Sequence, residues 1–246
     1  MKVVPIQKKS VSDSVYEQLR DQIVEGSVAP GETLPAERVL CEMLSVNRGA
    51  VREALKRLEQ ARLVSIQHGG GTTVLDYREH AGLDLLVELL LRPDGSIDTG
   101  VFRSMLEMRA AIGRDIARLA AERDGAACAA QLALVIERMD AADGDLAALQ
   151  VLSMEYWEEM VRASGNVAYR LAFNTLRQSY DRYRHLFTSV MAAEITDRAR
   201  FAQLREAIAV GDGEAARDIA DGLIELGAAS IREVLAALEA SQSPGA

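Results

Sequence analysis

At 246 residues, with 49% hydrophobic and 26% charged side chains, the chain has the size and composition of a globular protein of one large domain or two smaller ones. Its first ten residues, MKVVPIQKKS, lack the apolar run of a secretory signal, and no uncharged apolar stretch approaches the roughly 20 residues of a spanning helix; a cytoplasmic protein with no membrane partner is expected. The formal charge of -9 opposes a nucleic-acid partner only until it is divided, because residues 1–75 hold 10 Lys and Arg against 9 Asp and Glu, leaving 18 against 28 for the remainder.

Residues 1–9 read as a flexible arm. Ser10 or Ser12 suits the N-cap of a helix running to about Glu25, with Val11, Val15, Leu19 and Ile23 on one face. Gly26 stops that helix and Pro30-Gly31 turns the chain. Pro35 fits the first turn of a short helix ending near Leu44. Ser45-Val46-Asn47 then forms a turn, and Asn47 caps a helix over Arg48–Gln60. Leu63, Val64 and Ile66 predict a strand, His68-Gly69-Gly70-Gly71 a tip, and Thr72–Leu75 the return strand. A helix, a tight turn, a second helix and a β-hairpin in that order make a winged helix-turn-helix, assigned to residues 10–76.

After Asp76 the strand signal disappears. Amphipathic helices are expected over about 79–91, 97–123, 126–141, 145–163, 167–188, 193–210 and 213–240. Pro93-Asp94-Gly95, the ADGD run at 142–145, Gly165-Asn166 and Gly211-Asp212-Gly213 punctuate them. The fold class is therefore mostly α: residues 77–95 form a linker helix, residues 96–240 an all-α bundle, and residues 241–246 a disordered tail.

The helix at 48–60 carries two faces. Val51, Ala54, Leu55 and Leu58 recur at spacings of three and four, whereas Arg48, Arg52 and Lys56 stand at i, i+4 and i+8 as a basic stripe. An element apolar on one side and arginine-edged on the other suits insertion into a DNA groove, with its positive dipole end toward the duplex. Arginine can hydrogen-bond guanine in bidentate fashion, while Lys56 at the far end suits phosphate. Arg38 can reach the DNA backbone, Glu37 suits the orientation of an arginine, and His68 and Gly69 at the wing tip can approach the minor groove. The competing reading is a merely solvated charged face. The stripe, turn and hairpin together favour DNA.

Enzymatic motifs are missing. Gly69-Gly70-Gly71 lacks the Gly-Lys-Ser/Thr of a phosphate loop, neither GxSxG nor HExxH occurs, and Asp140, Asp143 and Asp145 lack the spacing of a calcium loop. Only three histidines are present (His68, His80 and His185), and Cys41 and Cys128 read as buried reduced thiols. The protein is expected not to be an enzyme.

LPAER, NRGAVREAL and LVSIQHGGGTTV resemble the DNA-binding domain of the GntR family of bacterial transcription regulators over nearly all of residues 10–76. LEMRAAIGRDIARLAAER and MVRASGNVAYRLAF resemble the FadR branch of that family. The resemblance implies a homodimer reading a pseudo-palindromic operator. It places Arg38, Arg48 and Arg52 on DNA with His68 and Gly69 from the wing, Asn47 and Lys56 beside them, and Gly49 and Ala50 at neighbouring reading positions. It also implies that residues 96–240 bind an effector and mediate dimerisation.

Most relatives in that branch hold a metal with one Asp and three His, and those positions fall here at Ser153, Trp157, Phe201 and Leu223. No metal and no cofactor are therefore expected. That loss of ligands is shared with the acyl-CoA-responsive members of the branch, so the resemblance implies release of the operator by an acyl-CoA or related lipid in the helical domain. The alternative is a small carboxylate metabolite. A 3/4-spaced stripe (Tyr169, Phe173, Leu176, Tyr180, Tyr183 and Phe187) and neighbouring Met105, Met108, Met154, Tyr156, Trp157 and Met160 could line an apolar tunnel or simply be core. On the last helix the resemblance puts Leu223, Gly227 and Ile231 at effector positions. Arg109 lies mid-helix among Leu106, Met108 and Ile112 and needs an anionic partner, either the effector or an acidic side chain.

Overall fold

A computed structural model describes residues 10–67, 70–142, 144–184 and 188–242, the last five as backbone only. The expected arm at 1–9, the wing-tip residues His68 and Gly69, Asp143, His185, Phe187 and residues 243–246 of the expected tail lie outside the described residues. The chain divides into two compact units, residues 1–96 and 97–246.

The first unit begins with α1 (Val11–Val24). Ser10 caps it: its hydroxyl accepts from the Asp13 N–H at 3.0 Å, and the Asp13 carboxylate accepts from the Ser10 N–H at 3.2 Å. Val15, Tyr16, Leu19 and Ile23 form its buried face, but Val11, expected there, is exposed in the first turn and Tyr16 takes the packing role. α2 (Glu37–Leu44) ends at Ser45 in the left-handed region, φ 54°, which turns the chain into α3 (Arg48–Gln60). Asn47 caps α3 through its side-chain oxygen, which accepts from the Ala50 N–H at 2.9 Å.

The wing is a three-stranded antiparallel sheet in the order β1 (Thr33–Leu34), β3 (Gly71–Val74), β2 (Val64–Gln67). The hairpin pairs Val64 with Val74 and Gln67 with Gly71, and β1 adds Leu34 opposite Thr72. Strand β1 was not expected from the sequence.

The linker helix expected at 77–95 is not continuous. It is replaced by α4 (Tyr77–His80), a 3-10 turn at Leu83–Leu85 and α5 (Leu86–Leu89). Leu85 is buried with Leu19, Leu55 and Leu58, and the Tyr16 hydroxyl donates to Glu88 at 2.7 Å while Arg20 donates to the same carboxylate at 3.0 Å. This segment thus belongs to the core of the first unit. Gly82 interrupts the helix, and the leucine-rich run that follows follows the available core surface rather than one helical face.

The second unit is helical among its described residues. α6 (Thr99–Ala141) covers both helices expected at 97–123 and 126–141 and is kinked at Asp124, φ -147° and ψ 36°, where the break was anticipated. Gly125 explains the kink's position: a Cβ there would stand 2.4 Å from the Ile208 carbonyl oxygen, so only glycine permits that approach. α7 (Leu146–Ala163) and α8 (Val167–Arg182) follow, capped by Asp145 and Asn166; α8 stops short of the expected 188. α9 (Ala192–Ile195), α10 (Arg198–Ala209) and α11 (Gly213–Gln242) complete the unit, and α11 extends into what was expected to be the disordered tail. The core packs Ile116, Leu132, Met139, Leu149, Leu204 and Ile208 out of solvent. Among the described residues no helix is long and apolar enough to cross a membrane.

Candidate nucleic-acid interface and effector cavity

The 3.6-residue period separates α3 into the two faces its sequence requires. Val51, Ala54, Leu55 and Leu58 are buried, and Arg48, Arg52 and Lys56 are exposed along the opposite side. Gly49 is exposed beside Arg48 at the N-terminal turn, where unsatisfied backbone N–H groups and the helix dipole favour an anion. Ala50, expected as a reading residue, is buried at 8% exposure: one position after Gly49 the helix has rotated toward the core, so its methyl group packs instead of reading.

The arginines around α3 are held by acids from α2. Arg38 pairs with Glu42 at 2.6 Å, one turn apart, and the Arg52 guanidinium stands 3.8 Å from Glu37. All four side chains are roughly half or more exposed, so water screens these pairs and phosphate can displace the acids at small cost. Among the described residues Arg48 and Lys56 form no ion pair. Arg57 points the other way, bonded to Asp13 at 2.5 Å with its guanidinium 4.1 Å from the Tyr16 ring centroid, and ties α3 to α1.

The second unit holds a cavity of about 100 Å³. α6 contributes Phe102, Met105, Leu106, Arg109 and Ile112; α7 contributes Ser153, Met154 and Trp157. Phe173, Leu176 and Tyr180 from α8, Met191 and Glu194 near α9, and Ile224 and Ile231 from α11 close it. Of the residues expected at the effector, Met105, Arg109, Trp157, Tyr180 and Ile231 line the cavity, and Tyr156, Leu223 and Gly227 do not. Tyr156 faces the opposite side of α7, donating to the Phe201 carbonyl at 2.9 Å and packing edge-on against that ring at 4.9 Å. Leu223 is fully buried core. Gly227 lies behind Glu194, and a Cβ there would stand 2.1 Å from the Glu194 Oε2. Tyr169, at the start of the aromatic stripe, donates to Asp115 at 2.9 Å and also lies outside the cavity.

Glu194 is the residue that sequence reasoning missed. It is wholly buried and accepts a short charge-assisted bond from Arg109. The acidic partner left open for Arg109 is thus a side chain 85 positions away. Burial pushes the Glu194 carboxyl above its usual value, and the Arg109 guanidinium only partly opposes that. Burial likewise raises the Tyr180 hydroxyl. Among the described residues three buried polar atoms on cavity residues lack a hydrogen-bond partner: Arg109 Nη1, Trp157 Nε1 and Glu194 Oε2. The four positions where a metal would be held do not fit one, because Trp157, Phe201 and Leu223 offer indole, phenyl and alkyl groups and the last two are packed in the core. Among the described residues no cluster of three His, Cys, Asp or Glu could hold a metal ion.

Residues 11–74 match the gntR family of bacterial regulatory proteins, and residues 104–226 match the FCD domain. The chain is 39% identical over 235 residues to the HTH-type transcriptional regulator Mce2R of Mycobacterium tuberculosis, covering 96% of this chain and 97% of that protein. The chain belongs to the GntR family. It is also similar to the fatty acid metabolism regulator protein of Serratia proteamaculans, 32% identical over 184 residues and 75% of each chain. Among solved structures, Lar, which controls the expression of the Listeria monocytogenes agr system, shares the fold with a TM-score of 0.55 at 18% identity, over 92% of this chain and 99% of that one. As a GntR-family member with an FCD domain, the protein is a DNA-binding transcriptional regulator with a ligand-binding domain and not an enzyme.

Proposed function

We propose that this GntR-family protein acts as a homodimer on a pseudo-palindromic operator and that a fatty acyl-CoA or related lipid, bound in the second unit, releases the DNA. The observation that carries this reading is the cavity itself, an apolar chamber walled by Phe102, Met105, Met154, Phe173 and Met191 with one buried ion pair. Chambers of this kind take a hydrocarbon and orient it with few polar groups. Flexible methionines on three of its walls let it swell around a chain longer than about 100 Å³ accommodates. The relatives named fatty acid metabolism regulator, at about a third identity over three quarters of the chain, support lipid control.

At the DNA, Arg48 and Arg52 read base edges, with Arg38 and Lys56 on phosphate and Asn47 and Gly49 bringing the helix N-terminus close. Release requires only that the ligand favour the DNA-free state, by about 1–3 kcal/mol in ordinary cases. A second reading, a small carboxylate effector, is favoured by the modest cavity volume. DNA retardation on the operator, titrated with long-chain acyl-CoA, the free fatty acid and small carboxylates in parallel, tests both. Release by an acyl compound supports the lipid; release by a short carboxylate alone replaces it.

A further inference from the structure

A side chain of α3 ties that helix to the wing. Glu59 stands in the last turn of α3, on its exposed side, and its Oε1 accepts from the Ile66 N–H of β2 at 3.2 Å. In the sheet order β1, β3, β2 the strand β2 is an edge. The Leu75 N–H donates to the Leu63 carbonyl at 2.9 Å, so Leu63, Ser65 and Gln67 turn their backbone groups to β3 while Val64 and Ile66 turn theirs outward. An outward N–H on an edge strand has no strand to pair with. Glu59 takes that place for Ile66.

The acid is otherwise badly placed. A carboxylate in the last turn opposes the negative end of the helix dipole, and Glu59 follows Arg52 and Lys56 along the exposed side of a helix read as meeting phosphate. The bond to Ile66 is what it gains there. The foot of the hairpin is fixed by other means. Arg62, at φ 56° in the left-handed region, closes the end of α3: its N–H donates to the Glu59 carbonyl at 3.0 Å, and the Leu63 N–H donates to the Leu58 carbonyl at 2.9 Å. Leu63 and Val64 are buried at that point. The far edge is carried by β1, whose Leu34 lies opposite Thr72 and whose chain leads into α2. Glu59 supports the near edge from α3. With both edges held, the tilt of the hairpin against α3 is set; with one released, the hairpin can rotate about the other.

Resting on the reading of α3 and the wing as the elements that dock on DNA, we infer that Glu59 is a positioning residue for the wing. It sets the tilt at which the hairpin meets the minor groove, and it acts through Ile66 without touching the duplex. Two consequences separate this role from a general one. The acceptor oxygen matters and the charge does not, so a neutral amide of the same length serves equally. The arginine contacts of α3 are independent of it, because Arg48 and Arg52 project from the helix itself.

Glu59→Gln keeps the length and the acceptor, whereas Glu59→Met keeps the length and loses the acceptor; neither carries a charge and both favour a helix. Full-length wild type and both variants, their folds checked by circular dichroism, are bound to a duplex that the wild type has enriched from a random-sequence pool. Dimethyl sulfate at guanine N7 reports the major groove, and hydroxyl-radical cleavage reports the flanking minor groove. Wild type and Glu59→Gln should protect both grooves. Glu59→Met should keep the N7 protection, lose the minor-groove protection and bind about fivefold more weakly than Glu59→Gln. Equal minor-groove protection by the two variants overturns the inference, as does loss of that protection in Glu59→Gln or loss of N7 protection in Glu59→Met. Lack of minor-groove protection by the wild type overturns the docking of the wing and the inference with it. Failure of the wild type to enrich any duplex overturns the reading of α3 as well.

Discussion

Each unit of the protein sets arginine against glutamate, and the two settings behave differently. On the DNA-facing side, Arg38–Glu42 and Arg52–Glu37 stand in water, where pairing is worth a few tenths of a kcal/mol and the arginines are free to change partner, about 0.2–1 kcal/mol at most. In the cavity, Arg109 is 22% exposed and Glu194 not at all, so water screens this pair far less and one oxygen of the buried carboxylate stays without a hydrogen-bond partner among the described residues. A reading face needs cheap exchange with phosphate. A buried pair holds its geometry instead of exchanging it.

The comparison breaks most visibly at the DNA. Arg48→Ala combined with Arg52→Ala should weaken operator binding at least about 100-fold and relax its sequence preference, each base contact being worth about 1–3 kcal/mol. Thermal unfolding should stay unchanged, since both side chains lie on the exposed face. Unaltered operator affinity would show that α3 is not the reading helix.

Next in size is Glu194→Ala, which leaves Arg109 with neither glutamate nor water on its inner side. A loss of about 2 kcal/mol in urea unfolding is expected, below the about 3–5 kcal/mol of a fully buried pair because Arg109 retains some solvent. The pH dependence has a definite sign. Glu194 has a raised folded pKa, so its contribution favours the native state below its ordinary value of 4.5 and is lost as pH rises through the higher folded value. The stability of the wild type relative to Glu194→Gln should therefore fall as pH rises from about 4.5, and paired urea titrations across that range measure it.

The smallest effect belongs to the exposed acids. Glu37→Gln or Glu42→Gln should change stability by less than about 0.5 kcal/mol while tightening operator binding about threefold, because an arginine is freed and a charge repelled by phosphate is removed. Weaker binding in both variants would mean that the acids orient the arginines for contact.

Much of both units was legible where the signals are local. Ser10, Asn47 and Asp145 cap the helices they precede, and the two-faced spacing of α3 survives intact. Strand β1 was not legible, since two residues have no period and Thr33–Leu34 is a strand only because β3 lies beside it. The run after Gly82 misled for a related reason: leucines at nearly every position satisfy a helical period and several others, and tertiary packing decides. Of the residues read as either tunnel or core, Met105, Met154, Trp157, Phe173, Leu176 and Tyr180 line the cavity, and Met108, Met160, Tyr169 and Tyr183 do not. Tyr156 and Leu223 share helices with true wall residues but face away from the chamber. Glu194 had no local signal at all: it occupies a four-residue helix far along the chain from Arg109, and only folding brings them together.

The two cysteines, both expected to be buried, are chemically unequal. Cys128 is fully enclosed and its thiol is pushed up to about 12 by burial, so it carries almost no thiolate at neutral pH and is silent to alkylating reagents. Cys41 on α2 retains access to solvent. A maleimide added to the unmodified protein should therefore label Cys41 on α2 well ahead of Cys128.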